Sequence, residues 1–346
     1  MGEALIYFGR RLLLMIPSFL GITVISFLIV NMSPGGPVEQ KIQAIRFGSA
    51  SGDGGGSSGS HKGSVVSEEV IAALNQQYGF DKPIYERYGI WLQNIIHLDF
   101  GDSFSYEEPV IGVIASKLPV SLQFGVFSFL LTYLISIPLG VFKALKADSA
   151  FDRISGFIMY VAYSVPPVVF GVFLIVFFAG GRYFSWFPIG QIQSDNFSDL
   201  TLWQQFVDRA HHFVLPLLCY VIGGFSDLTM LVRNSMIDVL RQDYIRTARA
   251  MGYGQSTILF FQALKNALLP VVAGMGNFLR LFLAGSLIIE TIFQLDGIGL
   301  LSYRSILSRD YNVIMGLIIL ASVLLLSGRL IVDLFYKFVD PRVDFK

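Results

Sequence analysis

The sequence predicts an all-α, polytopic membrane protein built on six spanning helices. Three observations predict it. Apolar stretches reach the roughly 20 residues a helix needs to cross hydrocarbon. The longest, Ile154–Gly181, holds no Asp, Glu, Lys or Arg. The runs are continuous, whereas barrel strands alternate, and backbone in hydrocarbon has to satisfy its own N–H and C=O groups. Composition agrees: 53% of the chain is hydrophobic and 14% charged, against about 25% charged in ordinary soluble domains.

The spans follow in order. Leu12–Val30 is free of charge and stands behind Arg10 and Arg11. Long and without a small-residue cleavage site, it reads as a retained span and not a removed signal. Leu118–Phe142 is also free of charge, with Pro119 and Pro138 near its ends. Ile154–Gly181 is broken only by Pro166 and Pro167, whose missing donors and ring clashes predict a kink. Phe213–Val232 has Asp227 inside, and Ala267–Ile289 has Arg280 inside and Glu290 at its outer end. Tyr311–Gly328 is free of charge and continues past Arg329 to Leu334. Arg329 and Asp333 stand i,i+4 near that end, where pairing or snorkelling accounts for them.

Orientation follows from Lys and Arg in the loops. With the amino terminus inside, the inside segments hold more basic residues than the outside ones. Most of the outside ones fall in the single long loop 31–117, where the rule weakens. The two shorter outside loops hold only Arg182, Arg209, Arg304 and Arg309. Both termini are therefore expected to be cytoplasmic. The layout is a first span within 1–30, an outer loop and cap over 31–117, a core of five spans over 118–336 that contains an inside loop at 233–265, and a cytoplasmic tail at 337–346.

Several functions are excluded. Net charge is zero and the basic residues sit in short clusters between apolar runs, so no basic face is offered to nucleic acid. Cys219 is the one cysteine, which precludes an intrachain disulfide and reads as a small core residue in a helix. His211 and His212 are adjacent and the other histidines scattered, so no metal spacing exists. The Gly/Ser-rich stretch 48–64 is expected to be flexible. It has no Gly-Lys-Ser/Thr ending, only His61-Lys62-Gly63-Ser64, and follows no strand, so it is no phosphate loop. The chain holds no cofactor of its own, and any ATP with its Mg would be bound and hydrolysed by another chain.

Beyond Ser64 the outer loop looks folded. Ser67 can cap a helix with Glu68 and Glu69 in its first turn, with Val70, Ile71, Leu74 and Tyr78 on its apolar side and Gly79 ending it. Pro83 starts a second helix to about His97, with Ile84, Tyr88, Trp91, Leu92, Ile95 and Ile96 as its packing face. This small cap serves equally well as a docking surface, an entrance gate or a structural plug. Tyr183, Phe184, Trp186, Phe187 and Trp203 in the loop 181–212 fit interfacial anchoring.

The inside loop, Arg233–Lys265, carries Arg233, Arg241, Arg246, Arg249 and Lys265. It is too polar to span. Asn234–Leu240 continues the preceding helix, Asp243 can cap a short helix through Tyr244, Ile245, Thr247, Ala248 and Met251, and Gly252 and Gly254 allow a tight turn. Gln255–Leu264 resumes helix. On physical grounds a short helix laid across this loop fits a partner's groove or an interfacial position under the headgroups, drawn there by Arg246 and Arg249.

Arg246-Thr247-Ala248-Arg249-Ala250-Met251-Gly252, with Pro270 further along at the head of the next span, resembles the cytoplasmic coupling motif of ATP-binding-cassette importer permeases. Arg246 and Thr247 replace the Glu and first Ala that open the general motif, a departure typical of the dipeptide and oligopeptide branch. Leu240-Arg241-Gln242-Asp243-Tyr244-Ile245, Leu215-Pro216, Asn266-Ala267-Leu268-Leu269-Pro270, Arg10-Arg11-Leu12, Pro34-Gly35-Gly36-Pro37, Tyr78-Gly79-Phe80-Asp81 and Phe100-Gly101-Asp102-Ser103 also resemble that branch, over nearly the whole chain. Within it, the long outer loop, Phe178–Phe184, Ser308-Arg309-Asp310-Tyr311 and the ending Val339–Phe345 are similar to the B-type permease family of the Yej system, which imports peptides and the peptide-nucleotide antibiotic microcin C.

The resemblance implies a six-helix type I importer transmembrane domain with a periplasmic loop subdomain, in a bacterial inner membrane. It implies a second homologous permease (YejE-like), an ATPase with two nucleotide-binding domains (YejF-like), a periplasmic peptide-binding protein (YejA-like), a peptide cargo and surrounding lipid. The chain would be a non-catalytic subunit forming half the translocation path. Tyr244, Arg246, Thr247, Ala248, Arg249, Met251, Gly252 and Gly254 would couple it to the ATPase, Ala248 and Gly252 by allowing close approach. Asp227, Arg280 and Glu290 are costly in lipid and should face protein or water, as path lining or as helix-to-helix pairing. The alternative from residues alone is a proton-coupled secondary transporter of peptides or small solutes, which would show internal repeats; an intramembrane protease lacks an evident His-Glu-x-x-His or Ser/His couple, and a channel is the remaining rival.

Overall fold

The computed structural model describes residues 2–32, 82–275 and 285–339, and side-chain surroundings over 9–32, 82–275 and 285–331. The described chain is helical, with a lone bridge pairing Asp102 to Pro109. Its helices are α1 Gly2–Met32, α2 Ile84–Ile96, α3 Val110–Leu145, α4 Ala150–Ser164, α5 Pro167–Ala179, α6 Leu202–Leu240, α7 Asp243–Ala250, α8 Gln255–Ala267, α9 Leu269–Met275, α10 Leu287–Ile292, α11 Ile298–Leu307 and α12 Tyr311–Val339. The first predicted cap helix, the Gly/Ser stretch, Arg280 and the tail from 340 lie outside the described residues.

Among the described residues, α1, α3, α6 and α12 are each long and apolar enough to cross a membrane, and the number reaches six when each of two bent helix pairs is counted as one span. The third predicted span is one of those pairs. Where the sequence predicted a kink, α4 and α5 meet at 95°. Val165 is extended (φ −84°, ψ 118°), as a residue preceding proline prefers. Pro166 is extended at the N-cap of α5, with Pro167 in its first turn. Two prolines in a row therefore end one helix and start another instead of bending one. Helix resumes at Gln255 as predicted, then breaks at Leu268 and turns by 42° into α9 with Pro270 in its first turn, which makes the second bent pair.

The chain forms two compact units. One comprises Met1–Leu13, Lys117–Leu301 and Val323–Lys346; the other Leu14–Ser116 and Ser302–Ser322. In the first, Phe124, Leu174, Leu215, Cys219, Tyr220 and Phe293 form an apolar core. Phe124 stacks on Phe213 at 4.2 Å between centroids. Cys219 is a buried core residue as predicted. Gly140 lets α3 meet α6: a Cβ there would lie 2.7 Å from Val232 Cβ and 2.8 Å from the Thr229 carbonyl oxygen. Small residues at such crossings let membrane helices gain van der Waals contact.

In the second unit, α2 runs as predicted from Pro83 to His97. Phe27 of α1 contacts Tyr88 and Trp91 at centroid distances of 5.4 and 5.5 Å, and Thr23 Oγ1 lies 3.0 Å from the Tyr88 hydroxyl. Ile95 is buried, but Ile84 and Ile96 of the expected packing face are exposed. Two family-like segments distant in sequence meet here. Ser103 Oγ donates to buried Asp310 Oδ2 at 2.5 Å, Ser105 N donates to the same oxygen at 3.0 Å, and Asn312 Nδ2 donates to the Asp102 carbonyl at 2.8 Å. Asp310 also accepts from Val313 N at 3.3 Å, capping the first turn of α12.

Candidate functional site: the segment between α6 and α8

Helix α6 runs without interruption from Leu202 to Leu240, so the predicted continuation through Asn234–Leu240 is present. Arg241 ends it, and Gln242 turns the chain in extended conformation (φ −67°, ψ 150°) into α7. Asp243 does not cap α7 as expected. It is the first helical residue, Gln242 holds the N-cap position, and Asp243 accepts from Arg246 Nη1 at 3.4 Å in the first turn. A carboxylate there still complements the positive end of the helix dipole.

The two faces of α7 differ sharply. Ile245 is fully buried and Ala248 nearly so, on one side of the helix. They pack with Ala144 of α3, Met236 of α6 and Ile258, Ala263 and Ala267 of α8. The opposite side carries exposed Tyr244, Arg246, Thr247 and Arg249, with exposed Met251 just beyond. The small side chain of Ala248 lets α7 sit close against its own chain.

The end of α7 explains Gly252. Gly252 N donates to the Arg249 carbonyl at 3.0 Å and Tyr253 N to the Ala248 carbonyl at 3.2 Å. This pair of bonds is the Schellman arrangement, which needs a left-handed residue after the helix. Gly252 supplies it with φ +84°. A Cβ there would meet nothing within 4 Å in this chain, so what the chain itself requires at this position is the backbone conformation. Gly254, at φ −63° and ψ 148°, is the extended N-cap of α8 and needs no such freedom. Tyr244 Oη accepts from Asn266 Nδ2 at 2.8 Å, fastening the start of α7 to the end of α8. A π-helical stretch, Ile258–Ala263, lies within α8.

The intramembrane polar candidates separate. Asp227 is exposed on α6, away from the chain's own core. Glu290 is fully buried. It accepts from Ser121 Oγ at 2.8 Å, Leu300 N at 2.9 Å, Ser286 N at 3.3 Å and Tyr220 Oη at 3.4 Å. Gly285, Gly297 and Gly299 make the space, since a Cβ on any of them would fall within 3.0 Å of a Glu290 carboxylate oxygen. Glu290 thus holds together groups from α3, α6 and the start of α11 within this chain. Sequence reading singled out the carboxylate but not this cradle; the Gly297-Ile298-Gly299 spacing after Glu290 was the available signal.

Residues 136–345 match the family described as the binding-protein-dependent transport system inner membrane component. The chain belongs to that family. Among curated relatives, the inner membrane ABC transporter permease protein YejB of Escherichia coli O157:H7 is 44% identical over 98% of this chain and 99% of its own length. The peptidoglycan transport system permease protein YejB of Agrobacterium fabrum is 42% identical over 98% of each, and the oligopeptide transport system permease protein AppB of Bacillus subtilis is 35% identical over 98% and 99%. This permease is thus a multi-pass inner-membrane transport subunit and not an enzyme. Membership also displaces the secondary-transporter alternative, which residue patterns alone had left standing.

Proposed function

We propose that this permease forms half of the translocation path of an ATP-driven peptide importer, and that α7 with its following turn is where an ATPase engages it. The observation that carries the reading is the two-faced α7. Its apolar side is seated on the chain, and Tyr244, Arg246, Thr247, Arg249 and Met251 are left outward. A helix so fixed moves with the bundle it is seated on, which is what force transfer requires. Gly252 and Gly254 shape the turn, and Ala248 sets how closely α7 sits. The partners in this reading are a second, YejE-like permease, a YejF-like ATPase carrying ATP and Mg, and a YejA-like periplasmic binding protein docking on the cap within 31–117. Both termini lie in the cytoplasm, and Asp227 faces the shared path or the second permease. Peptide cargo is supported by the relatives, which include an oligopeptide and a peptidoglycan transport permease. Microcin C is the finer assignment, carried by the Yej-like segments.

Reconstitution tests this. The four components in proteoliposomes, with binding protein and labelled peptide outside and ATP within, are expected to accumulate peptide only when ATP is hydrolysed. Uptake that persists without the ATPase would overturn the reading. Sensitivity to microcin C in cells with and without the gene tests the finer assignment.

A further inference from the structure

We infer that Asp152 is a positioning residue that links movement of α7 to the broken pair α4–α5, through two cations drawn from the helices on which α7 is seated. The inference rests on α7 being the ATPase-engaging element.

Asp152 stands in the first turn of α4, 5% exposed. Lys143, near the end of α3, is fully buried, and its Nζ lies 3.0 Å from Asp152 Oδ1. The same ammonium donates to the Asp152 carbonyl at 2.9 Å and to Ser155 Oγ at 2.7 Å, so it is fastened to α4 by three contacts. From α6, Arg233 Nε donates to Asp152 Oδ1 at 2.8 Å and its Nη2 to Oδ2. Planar two-nitrogen binding of this kind fixes orientation as well as distance.

The register of these cations carries the argument. Lys143 is followed directly by Ala144, and Arg233 precedes Met236 by one helical turn; Ala144 and Met236 are the buried α3 and α6 members of the cluster that holds Ile245 and Ala248 of α7. An apolar layer beneath α7 is thus stacked on an ionic layer, and the two layers share α3 and α6. Lateral displacement of α7 against Ala144 and Met236 has to shift Lys143 and Arg233, and both pull on one carboxylate at the start of α4. Packed helices and buried ionic networks hold discrete arrangements better than intermediate ones, so such a link passes a displacement on instead of absorbing it. Lys143 and Arg233 stand at the ends of apolar runs, and each has a partner in Asp152.

The test uses the reconstituted importer and reads peptide imported per ATP hydrolysed. ATP-dependent uptake by the wild-type complex is the control for the underlying reading; without it that reading falls, and this inference with it. Given it, Asp152→Asn is expected to leave ATPase copurification intact and hydrolysis within about twofold, while uptake per ATP falls roughly tenfold or more. Asp152→Glu, which keeps the charge, is expected to recover part of the ratio. Unchanged uptake per ATP in an Asp152→Asn complex that assembles would overturn the inference. If Asp152→Asn fails to assemble, Arg233→Lys, which keeps the charge but loses the fork, decides: a lowered ratio supports the link and an unchanged ratio sinks it.

Discussion

Asn266 donates a hydrogen bond to the Tyr244 hydroxyl at 2.8 Å, joining the first turn of α7 to the last turn of α8. Both residues lie in segments that resemble the importer branch, yet nothing in their spacing suggests that they touch. The contact closes the α7–turn–α8 segment into a loop pinned at both ends. Tyr244 is exposed, so Tyr244→Phe removes about 0.5–1.5 kcal/mol of net hydrogen bonding at most. It is expected to leave assembly unchanged and to raise amide hydrogen exchange across residues 243–253, as mass spectrometry would show.

Gly252 separates two explanations by substitution. Because its φ is +84° and the space beside it is open, Gly252→Ala costs about 1–2 kcal/mol of backbone conformation without a clash. Asn tolerates the left-handed region better than Val. Uptake per ATP is therefore expected to rank Gly252→Asn above Gly252→Val, measured at equal membrane levels. Equal loss in both would point to a steric requirement imposed by a partner instead.

Ala248 and Arg246 are near neighbours on α7 and should fail differently. Ala248→Leu forces a larger side chain against Met236 and Ile258, and overpacking of this kind costs about 1–3 kcal/mol; a lowered melting temperature of the purified permease is the expected result. Arg246 is exposed and its pair with Asp243 is open to solvent, worth at most about 0.5 kcal/mol. Arg246→Ala is expected to melt like the wild type while capturing less ATPase on copurification. A melting loss in Arg246→Ala equal to that of Ala248→Leu would refute this division of the helix.

Glu290 offers the largest expected stability effect. Glu290→Ala leaves the buried N–H of Leu300 and the Ser121 hydroxyl without their acceptor, while Ser286 N keeps the Tyr220 hydroxyl at 3.1 Å. Each orphaned buried group costs about 1–3 kcal/mol, so loss of folded protein in detergent is expected. Gly297→Ala should phenocopy it, because the new Cβ would sit 2.6 Å from Glu290 Oε2. Thermal melts that match the wild type would show that the cradle is dispensable.

Gly140→Leu tests the crossing of α3 with α6. The added side chain has no room beside Val232 and the Thr229 carbonyl, so the helices must separate. Reduced membrane levels are expected, measured by immunoblot against Gly89→Leu, where nothing lies within 4 Å.

The amino-acid sequence by itself determined the helical membrane character, the place of each apolar run and the position of α7. Those follow from local composition: long apolar stretches demand helices in hydrocarbon, and a polar break with glycines after it demands a turn. It also settled α2, whose bounds lie in Pro83 and His97. Tertiary structure decided the rest. The angle at Val165–Pro166, the joining of Ser103 to Asp310, the burial of Ala248 against its own chain, and the Glu290 and Asp152 centres all depend on residues brought together from distant parts of the sequence. A charge in a loop reads as topology, and a charge in a span reads as function, until its partner is known. Pairing is a property of three-dimensional neighbours, and local residue patterns carry no record of who those neighbours are.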